Sequence, residues 1–144
     1  MEVNNPAGFW RRTGAWIMDA FLISFVVTII TSSMGITVFD EGIGYQSVQF
    51  PIQAGYLIVL PVLWYGYTLG KKAVRVRTVK TDGSQVTWGV MIIRVVIGLI
   101  LYTVSFGILV IVSAIMVAVR ADKRAIHDLI AGTYVTRDLP QELK

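Results

Sequence analysis

The sequence predicts an all-α membrane protein: two full transmembrane helices, then a C-terminal membrane helical hairpin or one long tilted third helix, with a small cytoplasmic β-element. Three observations predict it. Of 144 residues, 55% are hydrophobic and only 15% charged, where a soluble domain carries about a quarter charged residues. A core this small cannot hide so much apolar surface from water, so lipid is its natural solvent. All 13 Lys and Arg lie at 11–12, 71–94 or 120–144. The net charge of +4 therefore reads as positive-inside topology and contact with anionic lipid headgroups, with no nucleic-acid partner.

The first span is expected at about 14–38, enough to cross a ~30 Å hydrocarbon core. Arg11 and Arg12 before it resemble the start of a signal peptide, but the apolar run is too long for one and Asp19 interrupts it. It reads as an uncleaved helix with a cytoplasmic N-terminus. Residues 39–49 carry Asp40 and Glu41 and no basic residue, which suits an external loop. The second span is expected at about 50–69, with Pro51 in its first turn and Pro61 as a kink.

The cytoplasmic loop 70–88 brings five basic residues, Lys71, Lys72, Arg75, Arg77 and Lys80. Val74 to Val79 alternates valine with arginine, the period of a strand. Thr81-Asp82-Gly83-Ser84 is a turn signal, Val86 to Trp88 reads as a return strand, and Thr133 to Thr136 is also β-prone. Gly66 and Gly70 are one residue too close for a phosphate-binding loop, and Lys72 follows Lys71. Gly70-Lys71-Lys72 reads instead as a helix end with cations at its negative pole.

As one straight helix, 89–119 would be about 46 Å long. A single tilted span leaves five basic residues outside. A hairpin with arms 89–103 and 106–119 leaves every basic residue cytoplasmic, as the positive-inside rule prefers. A turn and a short helix over 125–131, with Gly132 as its C-cap, then lead into a cytoplasmic tail, 120–144 in all.

Asp19 is the most informative residue. A carboxylate inside a membrane helix must face protein or water and have a partner. Arg12, seven positions earlier, projects from the same face with its Cα about 10 Å away, and Arg94 is another candidate. Asp19 reads either as a cation or proton site or as a static packing pair. In Arg124-Ala125-Ile126-His127-Asp128, Arg124 and Asp128 are four apart and pair on a helix, and His127 titrates near neutral pH. That set lacks an oriented nucleophile, so it reads as a salt-bridged helix docked on the cytoplasmic ends of the spans. The chain has no cysteine and one histidine, which removes thiolate and multi-histidine metal sites and disulfides. No cofactor motif and no enzyme are expected.

These pieces together resemble the RDD family of bacterial membrane proteins. Ala7-Gly8-Phe9-Trp10-Arg11-Arg12 with Ala15 and Asp19 is similar to its opening motif. Thr68-Leu69-Gly70-Lys71-Lys72 followed by Val74 to Gly83 is similar to its central segment, and Arg94 to a commonly basic position. Arg124 to Asp128 with Ala131 to Val135 resembles its closing motif. The central motif departs where a Gly-Arg pair often precedes the threonine and Tyr65-Gly66-Tyr67 stands here.

The resemblance covers nearly the whole chain as one domain, 1–144, in a bacterial cell membrane. It implies that the namesake residues are Arg12, Asp19 and Asp128, and that the family role is transport, including cation or proton exchange. The expected function is a small transporter, working as a homo-oligomer. Asp19, Arg12, Asp128 and Arg94 would form the ion or proton pathway; Arg124, His127 and Lys71 would form a cytoplasmic network. A scaffold or regulator of another membrane protein is the alternative.

Overall fold

The computed structural model describes residues 5–37 and 43–138. Val38 at the end of the first expected span, Asp40, Glu41 and Gly42 of the expected loop, and Lys144 of the tail lie outside the described residues.

Helix α1, Phe9–Ser33, starts five residues earlier than the apolar run predicts. Helix α2, Ile43–Leu63, starts inside the expected external loop and stops early. It stops there because Tyr65 and Gly66 take positive φ angles of 51° and 91°. A Cβ on Gly66 would run into the Thr78 backbone, so only glycine lets the chain pass that close. The Lys72 ammonium lies 4.6 Å from the centre of the Trp64 ring. Among the described residues, only α1 is both long and apolar enough to cross a membrane by length and composition. Helix α2, at 21 residues, is long enough, but Gln46, Gln49 and Gln53 interrupt its apolar character.

Thr68 caps a further short helix, α3, Leu69–Ala73, so Gly70-Lys71-Lys72 is not the end of the second span. Lys71 and Lys72 still sit in the last turn, where cations suit the helix dipole. Arg75, at φ 54°, breaks the extended pattern expected from Val74 onward. The strand β1 is Arg77–Lys80. It pairs antiparallel with β2, Thr133–Thr136, in the register Arg77↔Thr136 to Lys80↔Thr133. The expected return strand at Val86 to Trp88 is absent among the described residues: a single bridge joins Val79 to Gln85, and Trp88 already opens the next helix.

A two-stranded sheet is marginal alone. Here the segment before α1 supports it, with Pro6 bridging Thr136 and Ala7 N–H donating to Val135 O at 2.8 Å. Ala7, Val76 and Val135 are fully buried together.

The last apolar stretch is a helical hairpin: α4 is Trp88–Val104 and α5 Ile108–Val119, within two residues of the expected arms. Phe106 and Gly107, both at positive φ, make the turn. Helix α6, Ile126–Ile130, then packs against α4, with the His127 Cβ 3.7 Å from where a Cβ on Gly98 would stand. Gly132, at φ 63°, follows its C-cap Ala131.

Candidate functional site

The buried stripe of α1 runs Ala15, Asp19, Ile23, Val27 and Thr31, one residue per helical turn. Asp19 is 4% exposed. Its carboxylate accepts from Tyr56 Oη on α2 at 2.6 Å, from Thr68 Oγ1 at 2.5 Å and from the Gly70 backbone N–H at 2.7 Å. The Leu69 N–H in turn donates to Tyr56 Oη at 3.0 Å, which orients that hydroxyl. All three donors to Asp19 are neutral. Gly70 is the contact that lets α3 reach α1, because a Cβ there would strike the Ala15 carbonyl and the Asp19 carboxylate.

The expected pairing of Asp19 with Arg12 or Arg94 is not what the fold makes. Both arginines go to Asp128, which is fully buried. Arg12 Nη1 lies 2.6 Å from Asp128 Oδ2 and Arg94 Nη2 lies 2.8 Å from Oδ1. The Ala125 N–H donates to Oδ2 at 3.2 Å and Thr133 Oγ1 to Oδ1 at 3.3 Å. Burial opposes the charge on Asp128, but Arg94 and Arg12 outweigh it and hold the carboxyl well below the usual carboxylate range.

Arg124 does not pair with the Asp128 carboxylate as its spacing predicts. Its Nε donates to Thr133 O at 3.0 Å and its Nη2 to Asp128 O at 3.2 Å, so it ties β2 to α6 through backbone. Among the described residues, Arg12 Nη2 is a buried donor with no partner.

His127 sits between the two arms of this network. An arginine can only donate, so Arg94 Nη2, 3.2 Å away, requires His127 Nε2 to be the acceptor. The ring hydrogen is then on Nδ1 and points at Tyr102 Oη, 2.5 Å away; Tyr102 Oη lies 3.0 Å from Ser113 Oγ on α5. Burial pushes the His127 pKa down to about 4, against the pull of Asp128, so it does not titrate near neutral pH. Lys71 is partly buried, with its Nζ 2.8 Å from Thr78 Oγ1. Burial first and Arg94 second lower its pKa to about 7.

The His127 shift fixes a pH dependence. Between pH 6.5 and about 4 the unfolded chain binds a proton that the folded chain refuses, so stability rises with pH across that window. Acidification from pH 7 to 4 is therefore expected to lower the unfolding midpoint progressively, and His127→Asn, which keeps a donor for Tyr102, to flatten that slope. An unchanged slope in the variant would assign it to other groups.

The structure thus separates the sequence-predicted residues into two centres. Arg12, Arg94, Arg124, His127 and Asp128 form one; Asp19 stands in the other. Tyr56 and Tyr102 carry no mark in the sequence reading, while Thr68, Gly70 and Thr133 enter it as motif and strand residues and not as partners of Asp19 or Asp128. A tyrosine within an apolar run is the one signal that could have flagged Tyr56. Among the described residues, no three His, Asp or Glu side chains gather as a metal site.

The chain is similar to "Uncharacterized protein YckC" of Bacillus subtilis (strain 168), 42% identical over 99% of this chain and 91% of that one. It is also similar to "Uncharacterized membrane protein YteJ" of the same organism, 31% identical over 92% of this chain and 81% of that one. "Uncharacterized protein YxaI", again from that organism, is 29% identical over 92% of this chain and 98% of its own length. No solved structure gives a significant match. The model of the RDD family matches residues 6–132, a stretch that holds both centres, and the chain is therefore a membrane protein belonging to the RDD family.

Proposed function

We propose that this chain is a small ion-coupled membrane transporter, exchanging a cation and a proton, in which Asp19 is the group that carries the ion. The observation that supports this reading most is the contrast between the two buried aspartates. Asp128 is locked by two arginines. Asp19 is surrounded by a phenol, a hydroxyl and an amide N–H, none of which cancels its charge. A carboxylate held by neutral donors at membrane depth keeps a full negative charge with no counter-ion of its own among them, which suits it to meet a mobile cation. Arg12 and Arg94 then serve as positioning residues for α6 and do not tune Asp19.

The topology that goes with this reading keeps both termini cytoplasmic, with α1 and α2 spanning. The arms α4 and α5 have 17 and 12 residues, about 26 and 18 Å at 1.5 Å per residue. The hairpin therefore enters a ~30 Å core and turns back inside it. Two full spans per chain enclose no path by themselves, so the working unit is a homo-oligomer.

The test is cation and proton flux in proteoliposomes. The expected result is flux that falls to background in Asp19→Asn and is weakened in Tyr56→Phe, which keeps the carboxylate and removes one donor. Flux unchanged in Asp19→Asn moves the ion site elsewhere. No flux of any tested cation from folded protein transfers the reading to a scaffold or regulator of another membrane protein. A cysteine in place of Ser105, at the hairpin turn, should resist impermeant reagents from outside; outside labelling there would make the hairpin a full crossing.

A further inference from the structure

Helix α2 carries three glutamines, at 46, 49 and 53, in the half that leads away from the basic cytoplasmic surface. Steps of three, four and three residues place Gln46, Gln49, Gln53 and Tyr56 within about 80° of one another around the helix. The row descends about 15 Å along the axis and ends on Tyr56, whose hydroxyl donates to Asp19 Oδ1 at 2.6 Å. Among the described residues, none of the three amide groups has a hydrogen-bond partner in the chain. Gln46, Gln49, Phe50 and Gln53 line a surface cavity of about 190 Å³, room for several waters.

Polar side chains at membrane depth either face a neighbouring helix that satisfies them or line a hydrated cleft. The cavity on this face, and the row's end on Tyr56 one turn beyond Gln53 with its bond to Asp19, favour the second. We infer that the Gln46–Gln49–Gln53–Tyr56 face is a hydrated external lane through which a monovalent cation or a proton reaches Asp19. The inference rests on the transport reading of Asp19. Amide oxygens suit the task because they are neutral acceptors that solvate a cation without trapping it, and the amide NH₂ groups hold the accompanying water. No residue from Gln46 to Tyr56 is charged, so the full negative charge at the inner end of the row is Asp19.

The chain lacks cysteine, so single cysteines carry no background. The variants are Gln46→Cys, Gln49→Cys and Gln53→Cys. Gly55→Cys, on the far side of α2 where an added Cβ meets nothing within 4 Å, is the lipid-facing control, and Ser84→Cys reports the cytoplasmic side. Intact cells are treated with a membrane-impermeant thiol reagent, and flux is then measured on the labelled proteins in proteoliposomes. The expected result is labelling of all three lane positions from outside, at least about tenfold faster than Gly55→Cys, because the reactive thiolate forms in water and not in lipid. Labelled Gln53→Cys should also lose flux.

Lane positions that react no faster than Gly55→Cys overturn the inference. So does a disulfide between copies at Gln49→Cys without labelling, which makes the face an interface between two chains. Flux that depends on Asp19 with an unlabelled lane removes the lane and keeps the transporter. A labelled lane without any flux keeps the hydrated cleft and removes the transport reading.

Discussion

Asp128→Asn is expected to destabilise the folded protein by roughly 3–5 kcal/mol, the usual cost of breaking a buried ion pair from one side. The asparagine keeps the shape but leaves Arg12 and Arg94, with side chains 14% and 11% exposed, facing each other without a counter-charge. Its amide also presents a donor where two guanidinium groups already donate. The loss should appear as a fall in the detergent unfolding midpoint of about 6–20 °C, at about 2–4 °C per kcal/mol for a domain of this size. A shift within about 1 kcal/mol, the level of an exposed pair, would mean that the two arginines find other partners and that the cluster is not what holds α6 to α1 and α4.

Gly70→Ala is expected to cost about 2–4 kcal/mol and to abolish Asp19-dependent flux. The added Cβ would stand 2.9 Å from the Asp19 Cγ and Oδ1 and closer still to the Ala15 carbonyl, so α3 must move off α1. Overpacking costs about 1–3 kcal/mol. Loss of the Gly70 N–H bond to a buried carboxylate adds a cost of similar size. Gly89→Ala is the control, since nothing lies within 4 Å of its new methyl group and alanine favours a helix. Equal unfolding midpoints for the two variants would show that the α1–α3 contact tolerates a methyl group.

How far the fold could be read in advance depended on what kind of force set each boundary. The hairpin at Trp88–Val104 and Ile108–Val119 followed from where the basic residues lie, because charge placement across a bilayer is a global constraint visible in one dimension. The helix α1 begins at Phe9 because backbone hydrogen bonding continues through the polar pair Arg11-Arg12, where hydropathy alone stops at Gly14. The helix α2 starts at Ile43, seven residues before the expected 50, because backbone hydrogen bonding runs through Gly44 and Ser47, whose residue types suit a loop. Its end is set by positive φ at Tyr65 and Gly66, a requirement imposed by strand β1 passing alongside.

The candidate site was legible in membership and illegible in pairing. Arg12, Asp19 and Asp128 were all singled out, and helical spacing placed Arg12 and Asp19 on one face. The partner of Arg12 is nevertheless 116 positions away, a tertiary choice that no local period encodes. Tyr56, Thr68 and Gly70 around Asp19 are neutral groups from two other segments, and nothing in residue type announces a backbone N–H as a ligand for a carboxylate.

The knot of Arg12, Arg94 and Asp128 also has a bearing on biogenesis. Arg12 is made more than a hundred residues before its counter-ion. The strand β1 likewise waits for β2. The unit built from β1, β2 and the segment before α1 closes only after Thr136 has left the ribosome. A nascent chain stalled before Asp128 would hold two uncompensated cations and an unpaired strand edge.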